Sequence, residues 1–145
     1  MARHDIAPSL APVDALQQAL HDVFAPWVRE LHLRVQAASL GEVRLVLPVA
    51  PPHVHAGGVL CGQTMMAAAD SAMVLAVMTH LGSFKPMTTV QLQTSFLRGV
   101  KAGAGTVAVV ARVLKMGRNL VFGEVELHGP DGALAAHATT TYALL

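Results

Sequence analysis

The stretch Gln63-Thr64-Met65-Met66-Ala67-Ala68-Ala69-Asp70-Ser71-Ala72-Met73-Val74-Leu75-Ala76-Val77-Met78-Thr79-His80-Leu81 decides the fold. Met, Ala and Leu favour a helix, and Gly82 followed by Pro86 stops it, so the sequence predicts one helix over residues 63–81. Its only ionisable group before His80 is Asp70. A helix that is apolar almost all round must be enclosed by the rest of its protein, because it has no face to give to water. The flanking chain must therefore supply a wrapping.

Upstream of this helix, Leu31, Leu33 and Val35 alternate with His32, Arg34 and Gln36. After Ser39-Leu40-Gly41, Val43, Leu45 and Leu47 repeat at the same period of two, which predicts a β-hairpin with one wet face. Between hairpin and helix, Pro48, Pro51, Pro52, Gly57 and Gly58 mark an irregular loop, a place where function is often carried. Further upstream, Leu16, Leu20, Val23, Phe24 and Trp27 recur at helical spacing from Val13, with Asp14 as N-cap or first-turn acid and Pro26 as the break. Residues 1–12, rich in Ala, Pro and His, are expected to be a loose tail. Downstream, strand-like runs are predicted over residues 88–97, 106–114, 120–127 and 133–145, with Val90, Leu92 and Thr94 on one face of the first. Strands and helices do not alternate, which excludes a doubly wound sheet. The expected class is α+β, with one antiparallel sheet curled round one helix in a single domain over residues 13–145.

Composition agrees with one enclosed core. The chain has 145 residues, of which 53% are hydrophobic and only 13% charged, and this abundance of apolar side chains points to surface hidden in an oligomer. Ten Lys and Arg against nine Asp and Glu leave a net charge of +1, and the cations are scattered, so no nucleic-acid partner is expected. Residues 65–78 look too short for a membrane span and carry Asp70, and no signal peptide is expected near the start. With a single cysteine, Cys61, an internal disulfide is impossible, and a cytoplasmic protein with no membrane partner is expected.

Asp70 does not suit its surroundings. It is the sole carboxylate between Glu42 and Glu124, and its helical neighbours Gln63, Met66, Ala67, Met73, Val74 and Val77 include no cation. Burying an unpaired carboxylate costs several kcal/mol, so either a loop or partner subunit satisfies it or it performs chemistry. Gly62, just before the helix, would let a substrate carbonyl approach free backbone N–H groups, the geometry of an oxyanion hole; a simple turn glycine is the alternative. The two residues are eight apart, about 12 Å along a helix, so one substrate group reaches both only if Gly62 lies on the incoming turn. Cys61 reads as packing, as do Met65, Met66, Met73 and Met78. His53 and His55 make a weak metal signature, and His55 suits a substrate-binding role better; no metal site is expected.

The segment Cys61-Gly62-Gln63-Thr64-Met65-Met66-Ala67-Ala68-Ala69-Asp70-Ser71-Ala72 resembles the His-Gly-Gly…Asp-Ser-Ala helix of hotdog-fold acyl-CoA thioesterases of the phenylacetate-pathway (PaaI-like) type. The likeness continues in residues 88–98, 116–120 and 131–139. It implies a hotdog fold, a homodimer or homotetramer with active sites between subunits, and hydrolysis of an acyl or aromatic acyl thioester to free acid and CoA. Carried over by position, it implies Asp70 as base or nucleophile, Gly62 as oxyanion donor, and Thr89, with Thr88 as rival, as the water-placing hydroxyl from the neighbouring subunit. His55 takes the place of a loop Asn or Gln. Cys61 and Gln63 depart from the motif His and second Gly, and Gln63 then faces the substrate. Arg98, Lys115 and Arg118 are available to CoA phosphates. No resident cofactor is implied, because CoA enters as part of the substrate. Two other readings stand beside this one: an acyl-thioester dehydratase or hydratase using His55 with Asp70, and a non-catalytic acyl-thioester binding module.

Overall fold

The computed structural model describes residues 6–145. Helix α1 spans Val13–Asp22 and a 3₁₀ helix follows over Pro26–Leu31; strands β1 (Arg34–Ser39) and β2 (Glu42–Pro48) form the hairpin. Helix α2 spans Gly62–Leu81, and strands β3 (Met87–Phe96), β4 (Thr106–Met116), β5 (Leu120–His128) and β6 (Leu134–Leu144) complete the chain. All six strands form one antiparallel sheet in the order β1-β2-β4-β5-β6-β3, so β1 and β3 are its edges. The expected α+β arrangement is therefore present.

The sheet encloses α2. Alternate residues of β2 (Val43, Leu45, Leu47), β4 (Val107, Val109, Ala111) and β5 (Val121, Val125, Leu127) are buried in one core with Met73, Leu75, Ala76 and Val77 of the helix. Each fully buried Leu or Val stabilises the fold by about 1.5–3 kcal/mol. Helix and sheet approach closely at Gly123 of β5, where an added Cβ would stand 2.3 Å from Met73 Cε. By length and composition α2 could cross a membrane, and the expectation that this stretch was too short is corrected: the helix has 20 residues, but it is packed inside the sheet.

Three local readings change. Met1 to Asp5 lie outside the described residues, but residues 6–12 of the expected loose tail are docked. Leu10 N–H donates to Thr79 O at 2.9 Å, Ala7 O accepts from Leu40 N–H at 2.8 Å, and Ala11 is fully buried. The physical reason is that the last carbonyls of a helix lack intrahelical donors, and this segment supplies one to α2. The first strand begins at Arg34 instead of Leu31, because Pro26 starts the 3₁₀ helix and His32 turns left-handed (φ 53°) after it. Trp27 thereby leaves the buried stripe of α1 and is 56% exposed. Finally, β3 carries a bulge between Thr89 and Gln91 against β6, so Val90 faces solvent while Leu92 and Thr94 are half-buried.

Candidate active site

Asp70 is the half-buried carboxylate at the centre of the site. It stands midway along α2, where β3 and β6 pass beside the helix, and two hydroxyls reach it from the sheet. Thr89 Oγ1 donates to Asp70 Oδ1 at 2.8 Å. The Tyr142 hydroxyl lies against the same Oδ1 and also within 2.8 Å of the Asp70 carbonyl oxygen. Thr89 and Tyr142 are cross-strand partners in the β3–β6 ladder, so the register brings both hydroxyls to one oxygen. The bulge just after Thr89 is part of that aim. Among the described residues, Asp70 Oδ2 accepts no hydrogen bond.

Burial first, and then the charge of Asp70, push the Tyr142 hydroxyl well above the ordinary phenol range. Tyr142 therefore stays protonated and serves as a donor. A cavity of about 260 Å³ opens at Asp70, lined by Phe24, Trp27, Val28, Ala67, Val74 and Met87 with Thr88 and Thr89 at its polar side. Apolar walls beside a carboxylate oxygen without a hydrogen-bond donor can take an apolar group next to a proton acceptor.

Gly62 is the first residue of α2. Its amide and that of Gln63 donate no hydrogen bond among the described residues, as expected for the open N-terminus of a helix without a side-chain cap. The ring of Phe96 stands 3.1 Å from where a Gly62 Cβ would sit, so a larger residue there would have to push the ring aside by a few tenths of an ångström. His55, Met65, Phe96 and Arg98 line a second cavity of about 380 Å³ around Gly62. Arg98 and Gly99 continue into a third, of about 290 Å³, which also holds Lys101. The loop in front of α2 is fastened by one network. His53 meets the Glu30 carbonyl at 2.9 Å and the Thr64 hydroxyl at 3.1 Å, and that hydroxyl meets Cys61 Sγ at 3.0 Å. Cys61 thus has a histidine one hydroxyl away, a neighbour that sequence spacing did not disclose.

The predicted residues are thus divided between two places. Thr88 and Thr89 join Asp70, whereas His55 and Arg98 join Gly62; Gln63 is exposed next to Gly62 and lines neither cavity, and Arg118 is exposed in the β4–β5 turn away from both. Two expectations are corrected. Gly62 lies inside the helix and not on an incoming turn, so it stands about 12 Å from Asp70 within one chain, too far for one carbonyl to meet both. Thr89 serves Asp70 of its own chain, because β3 returns alongside α2. Among the described residues no group of His, Cys, Asp or Glu is arranged to hold a metal. Sequence reasoning missed Tyr142, Phe24 and Trp27. A signal for the first existed: it is the only tyrosine, in a strand whose other inward residues are Ala136, Ala138 and Thr140, and a buried tyrosine hydroxyl needs a partner.

A curled antiparallel sheet round one long helix is the hotdog arrangement, and here that helix carries a hydroxyl-bound carboxylate and begins at a glycine. A model of the thioesterase superfamily matches residues 57–136, more than half of the chain and the whole of α2. The chain belongs to the thioesterase superfamily. It is 27% identical over 116 residues to a Thermoplasma acidophilum protein described as a candidate esterase, a match covering 80% of this chain and 86% of that one. It is similar to the structure of zebrafish thioesterase superfamily member 2, with a TM-score of 0.82 and 26% identity over 92% of this chain and 98% of that one. A mutant of the phenylacetic acid degradation protein PaaI from Thermus thermophilus matches with a TM-score of 0.74 and 28% identity, over 83% of this chain and 100% of that one.

Proposed function

We propose that this protein is an acyl-CoA thioesterase in which Asp70 acts as general base and the Gly62 amide holds the oxyanion. The observation that carries this reading is the asymmetry of Asp70: Oδ1 is engaged by two hydroxyls, and Oδ2 is left free beside an apolar cavity. Water at Oδ2 gives up a proton to it as its oxygen bonds to the thioester carbon, and the carbonyl electron pair moves onto oxygen. Collapse of that intermediate restores the carbonyl and breaks the C–S bond. The proton then passes from Asp70 to the departing thiolate, leaving free acid and CoA. A missing oxyanion donor costs about 2.7–4 kcal/mol in comparable acyl-transfer sites, so Gly62 has a large part in the rate.

The separation of Gly62 from Asp70 within one chain supports an active site shared by two copies. Strand β3 is a sheet edge with Val90 and Phe96 exposed, a liability that pairing removes. Antiparallel two-fold pairing of β3 with its copy would set the Thr89 end of one strand against the Phe96 end of the other. That brings Asp70 toward Gly62 of the partner subunit. The acyl group then occupies the cavity beside Phe24 and Trp27, and the CoA phosphates follow the cleft past Arg98 to Lys101. The same pairing would bring His55 of the partner subunit toward Asp70, so release of free thiol, which a dehydratase does not give, is what separates the two readings.

The test is thiol release from short, medium-chain and aromatic acyl-CoAs by wild type and Asp70→Asn, with the folding of both checked. The variant is expected to lose about a hundredfold or more, the range for losing a general base. No thiol release from any substrate overturns the thioesterase, and equal release by both proteins overturns the role of Asp70.

A further inference from the structure

We propose that Tyr142 is a positioning residue for Asp70: its hydroxyl locks one carboxylate oxygen, leaves the other as the sole reactive one, and follows the carboxylate through its change of charge. This rests on the reading of Asp70 as base. Tyr142 is 2% exposed, on the inner face of β6, and its hydroxyl has one proton but two acceptors, Asp70 Oδ1 and the Asp70 carbonyl oxygen at 2.8 Å. While Asp70 is charged, the proton goes to Oδ1, the stronger acceptor, beside that of Thr89. Flipping the carboxylate would break both bonds at once, so Oδ2 keeps its aim into the cavity.

When Oδ2 takes a proton from water, Oδ1 becomes a weaker acceptor. The Tyr142 hydroxyl can then turn to the carbonyl of the same residue, and no buried donor is left without a partner at either stage. A phenylalanine would fill the same volume and do neither. Burial and the adjacent carboxylate keep the phenol protonated at any working pH, so it acts as a donor and not as a second base. From α2, β3, β6 and residues 24–28, the cavity receives Ser71, Thr88, Thr89 and apolar groups besides Tyr142, and no charged or titratable side chain other than Asp70 among the described residues.

The experiment compares kcat, KM and the pH profile of kcat/KM for wild type, Tyr142→Phe, and protein grown on 3-fluorotyrosine. Because the chain contains one tyrosine, fluorination alters this hydroxyl alone. In Tyr142→Phe, kcat is expected to fall about tenfold at nearly constant KM, as for loss of one bond to a charged group. The acid limb should also move up, because the charged form has lost a donor. Fluorination makes the phenol a stronger donor and should move the limb down, in a fully packed protein; this arm keeps the test decisive if Tyr142→Phe does not fold. Unchanged kcat and an unmoved acid limb in Tyr142→Phe, or an unmoved limb after fluorination, overturn the proposal while Asp70→Asn remains inactive. If Asp70→Asn is as active as wild type, the reading of Asp70 has failed instead, and with it the basis of this inference.

Discussion

Replacing Gly123 by alanine tests whether the sheet closes on α2 as tightly as its geometry requires. The new Cβ would lie 2.3 Å from Met73 Cε, 2.6 Å from Met73 Sδ and 2.8 Å from the Arg112 carbonyl oxygen. The thioether can swing, but Met73 is 1% exposed in a close-packed core, and Arg112 is held in the β4–β5 ladder opposite Glu124. Overpacking of this kind costs about 1–3 kcal/mol, and the entropy saved by replacing glycine returns about 0.5–1 kcal/mol. The net expectation is a loss of about 1–2 kcal/mol, or a fall in Tm of about 2–8 °C for a chain of this size. Urea and thermal unfolding followed by circular dichroism measure it. Met73→Ala alone is expected to cost about 2–5 kcal/mol, but on the Gly123→Ala background it should cost at least about 1 kcal/mol less, because the two changes share one space. A Gly123→Ala protein as stable as wild type, or strictly additive losses, would refute the packing argument. Met73 is also one turn beyond Asp70, so the same strain should reach the site and lower kcat.

Two further outcomes follow from the same geometry. The phenol of Tyr142 titrates higher in the folded chain than the ordinary value of 10.0, so its contribution to stability is complete below that pH and is lost as pH rises above it. The slope is up to about 1.4 kcal/mol per pH unit, and urea unfolding across the alkaline range should show it in wild type and not in Tyr142→Phe. Trp27→Ala removes a 56% exposed side chain, so stability should change by no more than about 0.5 kcal/mol, whereas KM for bulky acyl groups should rise about tenfold. An unchanged KM would remove the acyl group from that cavity.

Much of the fold was legible because it is written in local periods. The unbroken apolar run of α2, its stop at Gly82, and the alternation in β2, β4 and β5 each depend on residues a few positions apart. Asp70 was legible for the same reason, since its i±3 and i±4 neighbours are read directly from the chain. The bulge at Val90 was not, because a bulge is a property of two strands in register and the period of one strand does not contain it. Trp27 continued a helical stripe on paper, but the chain turns at Pro26 and brings it to the mouth of a cavity.

The sequence by itself thus determined that one enclosed helix carries one unpaired acid, since burial patterns and charge are local chemistry. Only the tertiary structure decided how that acid is held. Asp70 and Tyr142 are 72 residues apart and meet because the sheet sets β6 next to β3, in a register that brings Thr89 opposite Tyr142. That order is set by the packing of the whole sheet on α2, an energy summed over every strand and written in no one segment.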